Sequence, residues 1–299
     1  MRFIPALAFA LVALLLPVTG AGAQTARSVV AMTLTQSDYG GGRVYLPMRF
    51  GNVVGTMRLD TGASTTRIAL APWNQDLPAI GASVSTGASG QSTRCDDIVA
   101  TNVALKAAQG NDIARAKYNV TRCAANDGDD LLGLDFFRNA RFTLDFDHRE
   151  IVFFGEPLAG GHATPLRLLG PERKLVGIDL RIGATSAAGL LDTGAEICAV
   201  DLPFVLKHRK LFSPVKSKAK ASAAGGKTFA SRLFKIKALD LGGGRVARDV
   251  YALAYDFGVL REALGPGTPF IIGYNAISRF NWELDFRDPS APTWDARGR

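Results

Sequence analysis

The chain has 299 residues, a formal net charge of +8 at pH 7 and three cysteines. That length allows one large or two medium domains that bury their own cores without disulfide or metal staples. Much of the excess charge lies in Lys207-His208-Arg209-Lys210 and the lysines that follow, with no nucleic-acid-binding motif and no interleaved aromatic residues. We therefore interpret the basic segment as a solvated surface and expect no nucleic-acid partner.

The N-terminus predicts export from the cytoplasm. Arg2 is followed by an apolar run from Ile4 to Leu16 and then by small residues that end at Ala23. This order is typical of a secretory signal peptide, and the run is shorter than the roughly 20 residues of a membrane-spanning helix. We predict a signal peptide at residues 1–23 and a periplasmic or secreted protein, with no stable membrane insertion after cleavage. An uncleaved N-terminal anchor is the alternative.

The pattern of apolar residues after the leader favours β-structure. Residues 44–50 and 174–182 carry alternating or continuous apolar runs, and Phe142, Leu144 and Phe146 recur with a period of two. A hairpin turn is expected at residues 147–149. Helix is limited to short segments after glycines, at 134–139 and 274–279, with weaker candidates at 202–210 and 259–264.

The chain contains an internal repeat with three segments in the same order. The first copy consists of Leu59-Asp60-Thr61-Gly62-Ala63, Leu131-Leu132-Gly133 and Arg141-Phe142-Thr143-Leu144-Asp145-Phe146. The second consists of Leu191-Asp192-Thr193-Gly194-Ala195, Ile271-Ile272-Gly273 and Asn281-Trp282-Glu283-Leu284-Asp285-Phe286. The offset from Gly133 to Asp145 equals that from Gly273 to Asp285, so the two copies share a register. Such a repeat predicts two equivalent structural units.

Two Asp-Thr-Gly-Ala segments in matching contexts make the sequence resemble the aspartic peptidases, specifically the retropepsin-like superfamily shared by retroviral proteases and two-lobed pepsins. The resemblance implies a mostly β, two-lobed acid-protease fold (pepsin/retropepsin-like) with duplicated β-barrel-like lobes and a few short helices. Turn residues near Pro157 to Pro165 place the lobe boundary there. We expect an N-terminal lobe at residues 24–158 and a C-terminal lobe at residues 159–299.

The resemblance implies that Asp60 and Asp192 form a catalytic pair. Two adjacent carboxyl groups share one proton, so that one group accepts a proton from water while the other polarises the scissile carbonyl. We therefore expect an aspartic endopeptidase that acts on extended peptide or protein substrates as a monomer, without a cofactor. The alternative is a catalytically silent peptide-binding or envelope-assembly module that retains the fold.

The residues that follow each aspartate have expected roles of their own. Gly62 and Gly194 allow close backbone approach to a carboxylate, and the resemblance implies that Thr61 and Thr193 bond across to the opposite lobe. Alanine at positions 63 and 195 lacks a hydroxyl that would favour carboxylate ionisation. That absence predicts a mildly acidic to near-neutral pH optimum.

Two segments rich in glycine and serine, 85–90 and 221–226, are candidate flaps over the cleft. Their tips contain Gly87 and Gly90 in the first lobe and Gly225 and Gly226 in the second. Small residues would allow flap motion, and plain surface loops are the alternative. No tyrosine occurs in the first segment, so a retroviral-type pair of flaps is the nearer expectation.

The remaining reactive side chains favour structural roles. Cys95 and Cys123 are either bridged in an oxidising compartment or free, and Cys198 is expected to be a small buried residue. The three histidines, His148, His162 and His208, lack the spacing of a zinc site. No serine-hydrolase or nucleotide-binding motif is present. Three further carboxylates have structural interpretations, namely Asp135, Asp145 and Asp285.

Overall fold

The structure is a computed structural model that describes residues 27–87, 92–124, 130–158, 163–216, 221–222 and 228–299. The predicted signal peptide at residues 1–23 therefore lies outside the described residues, as do residues 159–162 at the predicted lobe boundary. Both assignments stay predictions. Within the described ranges, none of the helices has the length and apolar character needed to cross a bilayer.

Strands make up most of the described chain. The first twelve are β1 (Ser28–Ala31), β2 (Thr33–Gln36), β3 (Gly42–Phe50), β4 (Val53–Leu59), β5 (Arg67–Ala69), β6 (Ala79–Thr86), β7 (Ser92–Leu105), β8 (Ile113–Cys123), β9 (Leu131–Leu132), β10 (Arg141–Asp145), β11 (Glu150–Phe153) and β12 (Thr164–Pro165). The rest are β13 (Arg167–Leu169), β14 (Leu175–Ile182), β15 (Thr185–Leu191), β16 (Cys198–Asp201), β17 (Ser213–Pro214), β18 (Ala221–Ser222), β19 (Thr228–Phe229), β20 (Arg232–Asp240), β21 (Val246–Tyr255), β22 (Phe270–Ile272), β23 (Phe280–Asp285) and β24 (Thr293–Gly298).

The helices are short, as the sequence predicts. The α-helices are α1 (Leu202–Lys207), α2 (Val259–Leu264) and α3 (Tyr274–Ile277), and single 3-10 turns occur at Asp38–Gly40, Leu134–Phe137 and Arg209–Leu211. The segment after Gly133 was expected to be a helix of six residues, and the structure has a 3-10 turn of four there. A following residue, Asn139, has a positive φ of 62°, which ends the turn before it can become an α-helix.

Each lobe is an eight-stranded sheet that closes on itself. The first-lobe sheet has the order β2-β3-β4-β9-β5-β8-β7-β6, with β3 also paired to β7. The second-lobe sheet has the order β13-β14-β15-β22-β16-β21-β20-β17, with β14 also paired to β20. The two orders correspond strand by strand, which is the structural form of the sequence repeat. The predicted fold class, mostly β with two barrel-like lobes and short helices, is confirmed.

A third sheet joins the lobes, and we call it the base sheet. Its order is β1-β11-β10-β23-β24-β12, so three strands come from each half of the chain. The central contact is the antiparallel pair β10–β23, in which Phe142 lies opposite Leu284 and Leu144 opposite Trp282. The predicted turn at residues 147–149 connects β10 to β11. The core therefore runs continuously from one lobe through the base sheet into the other.

Strand β3 shows why these sequences form closed sheets. Its buried and partly exposed positions alternate along all nine residues. Val44, Leu46, Met48 and Phe50 point into the first-lobe core, while the intervening side chains point away from it, as the period of two in a strand requires. The same alternation decides which side chains reach the space between the lobes.

Candidate active site

Asp60 and Asp192 lie at equivalent points of the two lobes, each directly after a buried strand. Asp60 follows β4, and its N–H donates to the carbonyl of Leu132 at 3.0 Å; Asp192 follows β15, and its N–H donates to Ile272 at 3.0 Å. The preceding leucine of each loop is buried in its own lobe. Since successive side chains alternate, each aspartate is directed out of its lobe and towards the other.

The two carboxyl groups meet between the lobes. Oδ1 of Asp60 accepts the Gly62 N–H at 3.0 Å, and Oδ1 of Asp192 accepts the N–H groups of Gly194 at 2.8 Å and Ala195 at 3.1 Å. The Asp192 carboxyl is also close enough to Asp60 for that group to raise its pKa. Two carboxyl groups this close share one proton, because both cannot ionise together. The structure thus brings the predicted catalytic pair into contact.

The pKa of Asp192 is raised well above its usual range. Burial between the lobes is the largest cause, and the adjacent Asp60 carboxylate is the second. The backbone N–H donors of Gly194 and Ala195 act in the opposite direction because they stabilise the ionised form. Burial and the neighbouring charge outweigh these donors, so the pair of carboxyl groups holds one proton between them.

The carboxylate of the opposite lobe leaves no room for a side chain at position 62 or 194. A Cβ at Gly62 would lie 2.5 Å from Cγ of Asp192, and a Cβ at Gly194 would come at least as close to Asp60. Neither glycine has a positive φ, so the requirement concerns space. Each loop therefore leaves room for the carboxylate of the other.

Thr61 and Thr193 lock the two loops together with four buried hydrogen bonds. The Thr61 N–H donates to Thr193 Oγ1 at 3.1 Å, and the Thr193 N–H donates to Thr61 Oγ1 at 3.0 Å. Each hydroxyl then donates onward to the other lobe, from Thr61 to Leu191 at 2.7 Å and from Thr193 to Leu59 at 3.0 Å. Both side chains are fully buried.

A short strand and a glycine support each loop from behind. The N–H of Leu134 donates to Ala63 at 2.9 Å, and the N–H of Tyr274 donates to Ala195 at 2.7 Å. A Cβ at Gly133 or Gly273 would lie 2.6 Å from the backbone of the loop in front of it. These glycines therefore act as scaffold elements, because any side chain there would push the catalytic loop forward.

No protein-family model matches the sequence, and no curated protein is significantly similar to it. Among solved structures, the chain is similar to the aspartic proteinase from Irpex lacteus, with a TM-score of 0.53 and 15% identity over 91% of this chain and 98% of that one. The fold is that of an aspartic proteinase.

Two further structures share this fold. Basic 7S globulin from soybean has a TM-score of 0.54 and 12% identity over 90% of this chain and 94% of that one. The protein edgp has a TM-score of 0.57 and 9% identity over 91% and 95% of the two chains. One similar structure is thus named a proteinase and another a globulin. The similarity therefore shows the fold, and evidence for activity comes from the site.

In this aspartic-proteinase fold, the first candidate flap is part of a hairpin. Strands β6 and β7 pair up to Thr86 and Ser92, and Gly87 follows directly after β6. The other three candidate flap glycines, Gly90, Gly225 and Gly226, lie outside the described residues. The flap role of all four stays a prediction.

The cysteines have distinct positions in the fold. A disulfide joins Cys95 on β7 to Cys123 on β8. Cys198 is free and buried, and its Sγ accepts the Gly273 N–H at 3.3 Å. Thr66 Oγ1 accepts the Gly133 N–H at 3.0 Å at the equivalent position of the first lobe. Burial raises the pKa of the Cys198 thiol to about 12, so this cysteine is a structural acceptor and not a nucleophile.

The remaining candidate carboxylates lie outside the catalytic pair. Asp135 accepts a hydrogen bond from Thr66 at 2.9 Å, and burial raises its pKa. Asp145 and Asp285 bond to nearby side chains of His148 and Arg287. In the part of the chain that the structure describes, no group of three His, Cys, Asp or Glu side chains could hold a metal ion.

Arg67, which no sequence motif marks, lies near the catalytic pair. Its pKa is lowered by burial, and the Asp60 carboxylate acts in the opposite direction. Nη1 of Arg67 donates to Ser85 Oγ on the β6–β7 hairpin at 3.4 Å. The only sequence signal is positional: the corresponding residue of the second repeat is Ala199.

Proposed function

We propose that the chain is an aspartic endopeptidase, a hydrolase that cleaves peptide bonds with water activated between Asp60 and Asp192. The observation that carries this proposal is the contact between the two carboxyl groups, with each glycine loop shaped to admit the carboxylate of the other lobe. A closely packed pair of carboxyl groups that must share a proton is an arrangement suited to general acid–base chemistry.

The two carboxyl groups share one proton, because burial and the neighbouring charge disfavour ionisation of both. The ionised member of the pair accepts a proton from a water molecule, which attacks the scissile carbonyl carbon, while the protonated member donates its proton to the carbonyl oxygen. The tetrahedral intermediate then collapses as the first carboxyl group passes the water proton to the leaving nitrogen and a hydroxyl of the intermediate returns a proton to the second. No covalent bond forms between enzyme and substrate. The fixed N–H donors around each carboxylate hold the pair in place during both steps.

The substrate would be an extended peptide segment lying between the lobes, beneath the β6–β7 hairpin. Because one chain supplies both aspartates, a monomer is sufficient for activity. Equal lobes that each carry Asp-Thr-Gly-Ala fit a retropepsin-like origin by duplication. The apolar leader at residues 4–16 supports a periplasmic or secreted location.

The test is cleavage of a diverse peptide mixture by the purified protein from pH 4 to pH 7, analysed by mass spectrometry. Asp60→Asn and Asp192→Asn should each lose about 10²- to 10⁴-fold in rate. Asp76→Asn is the matched control because this exposed aspartate lies in the same lobe as Asp60. Equal cleavage by all four proteins would refute the mechanism.

The alternative is a catalytically silent peptide-binding or envelope-assembly module, and the similarity to a protein named a globulin is the observation that favours it. That function predicts peptides bound by the wild-type chain and recovered intact at every pH tested. Products that appear with the wild-type protein and disappear with both Asn variants would rule it out.

A further inference from the structure

Two arginines face the space in front of the first catalytic loop. Arg58 on β4 and Arg67 on β5 both pair with Leu131 on β9, from opposite sides. Residues that are paired across neighbouring strands place their side chains on the same face. The next residue of β5, Ile68, is fully buried in the lobe core. Both arginines therefore lie on the face of the sheet that is turned away from the core.

Arg67 lies between the catalytic pair and the hairpin. Asp60 comes two residues after Arg58, so the alternation of the strand directs both to the same side. On the other side, Nη1 of Arg67 reaches Ser85 Oγ at 3.4 Å. Along this part of the hairpin, Ser83 and Ser85 are half-buried while Val84 between them is exposed. The inner edge of the hairpin thus covers the guanidinium.

The guanidinium of Arg67 has few hydrogen-bond partners among the described residues. Its Nε is buried and has no hydrogen-bond partner among the described residues, and its contact with Ser85 is long for a hydrogen bond. The nearby Asp130 already accepts the Ala69 N–H at 2.7 Å. The side chain is half-buried, and the loss of hydration lowers the pKa of Arg67. A cation in such a place gains most from a carboxylate that arrives with a ligand.

The equivalent strand positions of the second lobe carry no charge. The residues equivalent to Arg58, Leu131 and Arg67 are Leu190, Ile271 and Ala199, which pair in the same register. All three are buried in an apolar cluster that also includes Leu264 of α2. At these equivalent strand positions the two lobes therefore differ, with two arginines in the first lobe and apolar residues in the second.

We propose, on the basis of the endopeptidase function above, that Arg67 binds the carboxylate of an acidic substrate side chain next to the scissile bond. The planar guanidinium presents several N–H donors to such a carboxylate and can bind it through two of them. The preferred substrates are then peptides with Glu or Asp at one of the two residues that flank the cleaved bond.

The test uses pairs of peptides that differ only by Glu or Gln at each flanking position. The wild-type protein should cleave one Glu peptide at least about tenfold more efficiently, in kcat/KM, than its Gln partner. No cleavage of any peptide would count against the proposed function itself. Equal cleavage of both members at both positions would overturn the acidic preference and leave the function standing.

Variants of Arg67 decide whether this residue carries the preference. Arg67→Gln should reduce the Glu-to-Gln ratio to about one, and Arg67→Lys should retain part of it because the charge remains. The exposed Arg297 on β24 provides the control, Arg297→Gln, which should keep the wild-type ratio. If Arg67→Gln slows the Glu and Gln peptides by the same factor, the arginine only supports the catalytic pair and the proposal fails. If the Gln variant does not fold, Arg67→Lys decides the question, and a Glu-to-Gln ratio unchanged from the wild type would overturn the role of Arg67.

Discussion

At the scale of single residues, Gly62 and Gly194 show how far a motif predicts a site. The sequence correctly indicates that each glycine allows close approach to a carboxylate. It does not indicate that the group in closest contact belongs to the opposite lobe, because that contact depends on how the two lobes dock. Arg67 was missed for a related reason: a single arginine in a strand has no local pattern that marks it.

The first prediction concerns Gly62. A methyl group at this position would displace the Asp192 carboxylate, so Gly62→Ala should lose at least about 10²-fold in kcat. Gly55→Ala is the control. Gly55 lies on β4, which leads into the same loop, and a Cβ there would meet no atom within 4 Å. Steady-state kinetics on a cleaved peptide would measure both variants, and comparable kcat values would contradict the close contact.

The second prediction concerns the pH dependence of stability. The folded-state pKa of Asp192 is raised, so its contribution to stability is complete below the unfolded-state pKa and is lost as the pH rises through the raised value. Asn does not ionise. Asp192→Asn should therefore exceed the wild type in thermal midpoint by roughly a few degrees at pH 7, with the gap narrowing at pH 3. Asp76→Asn serves as the control. A difference in thermal midpoint between Asp192→Asn and the wild type that widens on acidification would contradict the raised pKa of Asp192.

At the scale of elements, the sequence predicted which segments are strands better than which strands are neighbours. The predicted strands at 44–50 and 174–182 correspond closely to β3 and β14. By contrast, β10 and β23 pair in the base sheet although they belong to different copies of the repeat. Period-two patterns identify the buried face of a strand, whereas its partner depends on contacts between residues that are distant in sequence.

The third prediction concerns the link between the two catalytic loops. Thr193→Val removes the hydroxyl that accepts the Thr61 N–H and donates to the Leu59 carbonyl. Two buried backbone groups then lose their partners, which should cost about 2–5 kcal/mol of unfolding free energy. Urea denaturation would measure the cost. Thr101→Val on β7 is the control because Thr101 is exposed, and equal stability of the two variants would mean that the loops do not depend on this link.

At the scale of the whole molecule, the two lobes share a sheet and a buried core. The base sheet takes strands from both halves of the chain, and one buried apolar cluster extends through both lobes. The repeat in the sequence predicted two equivalent units. It could not show that the two units share a central sheet, since β10 and β23, which pair there, belong to different copies.

The fourth prediction is a single unfolding transition. A Trp73→Phe variant leaves Trp282 and Trp294 as reporters of the base sheet, while circular dichroism reports on the strands of both lobes. The fluorescence and dichroism midpoints in urea should coincide, because separation of the lobes would expose the shared core. Two resolved transitions would show that the lobes unfold independently.

The position of β1 limits where a prosegment could be cut from the proposed endopeptidase. Val29 and Val30 are buried, at 1% and 0% exposure, and the strand pairs along its full length with Glu150–Phe153. A cut after this strand would remove the edge strand of the base sheet and leave the outer edge of β11 unpaired, while its other edge stays paired with β10. Any inhibitory prosegment that is removed during maturation must therefore end before Ser28.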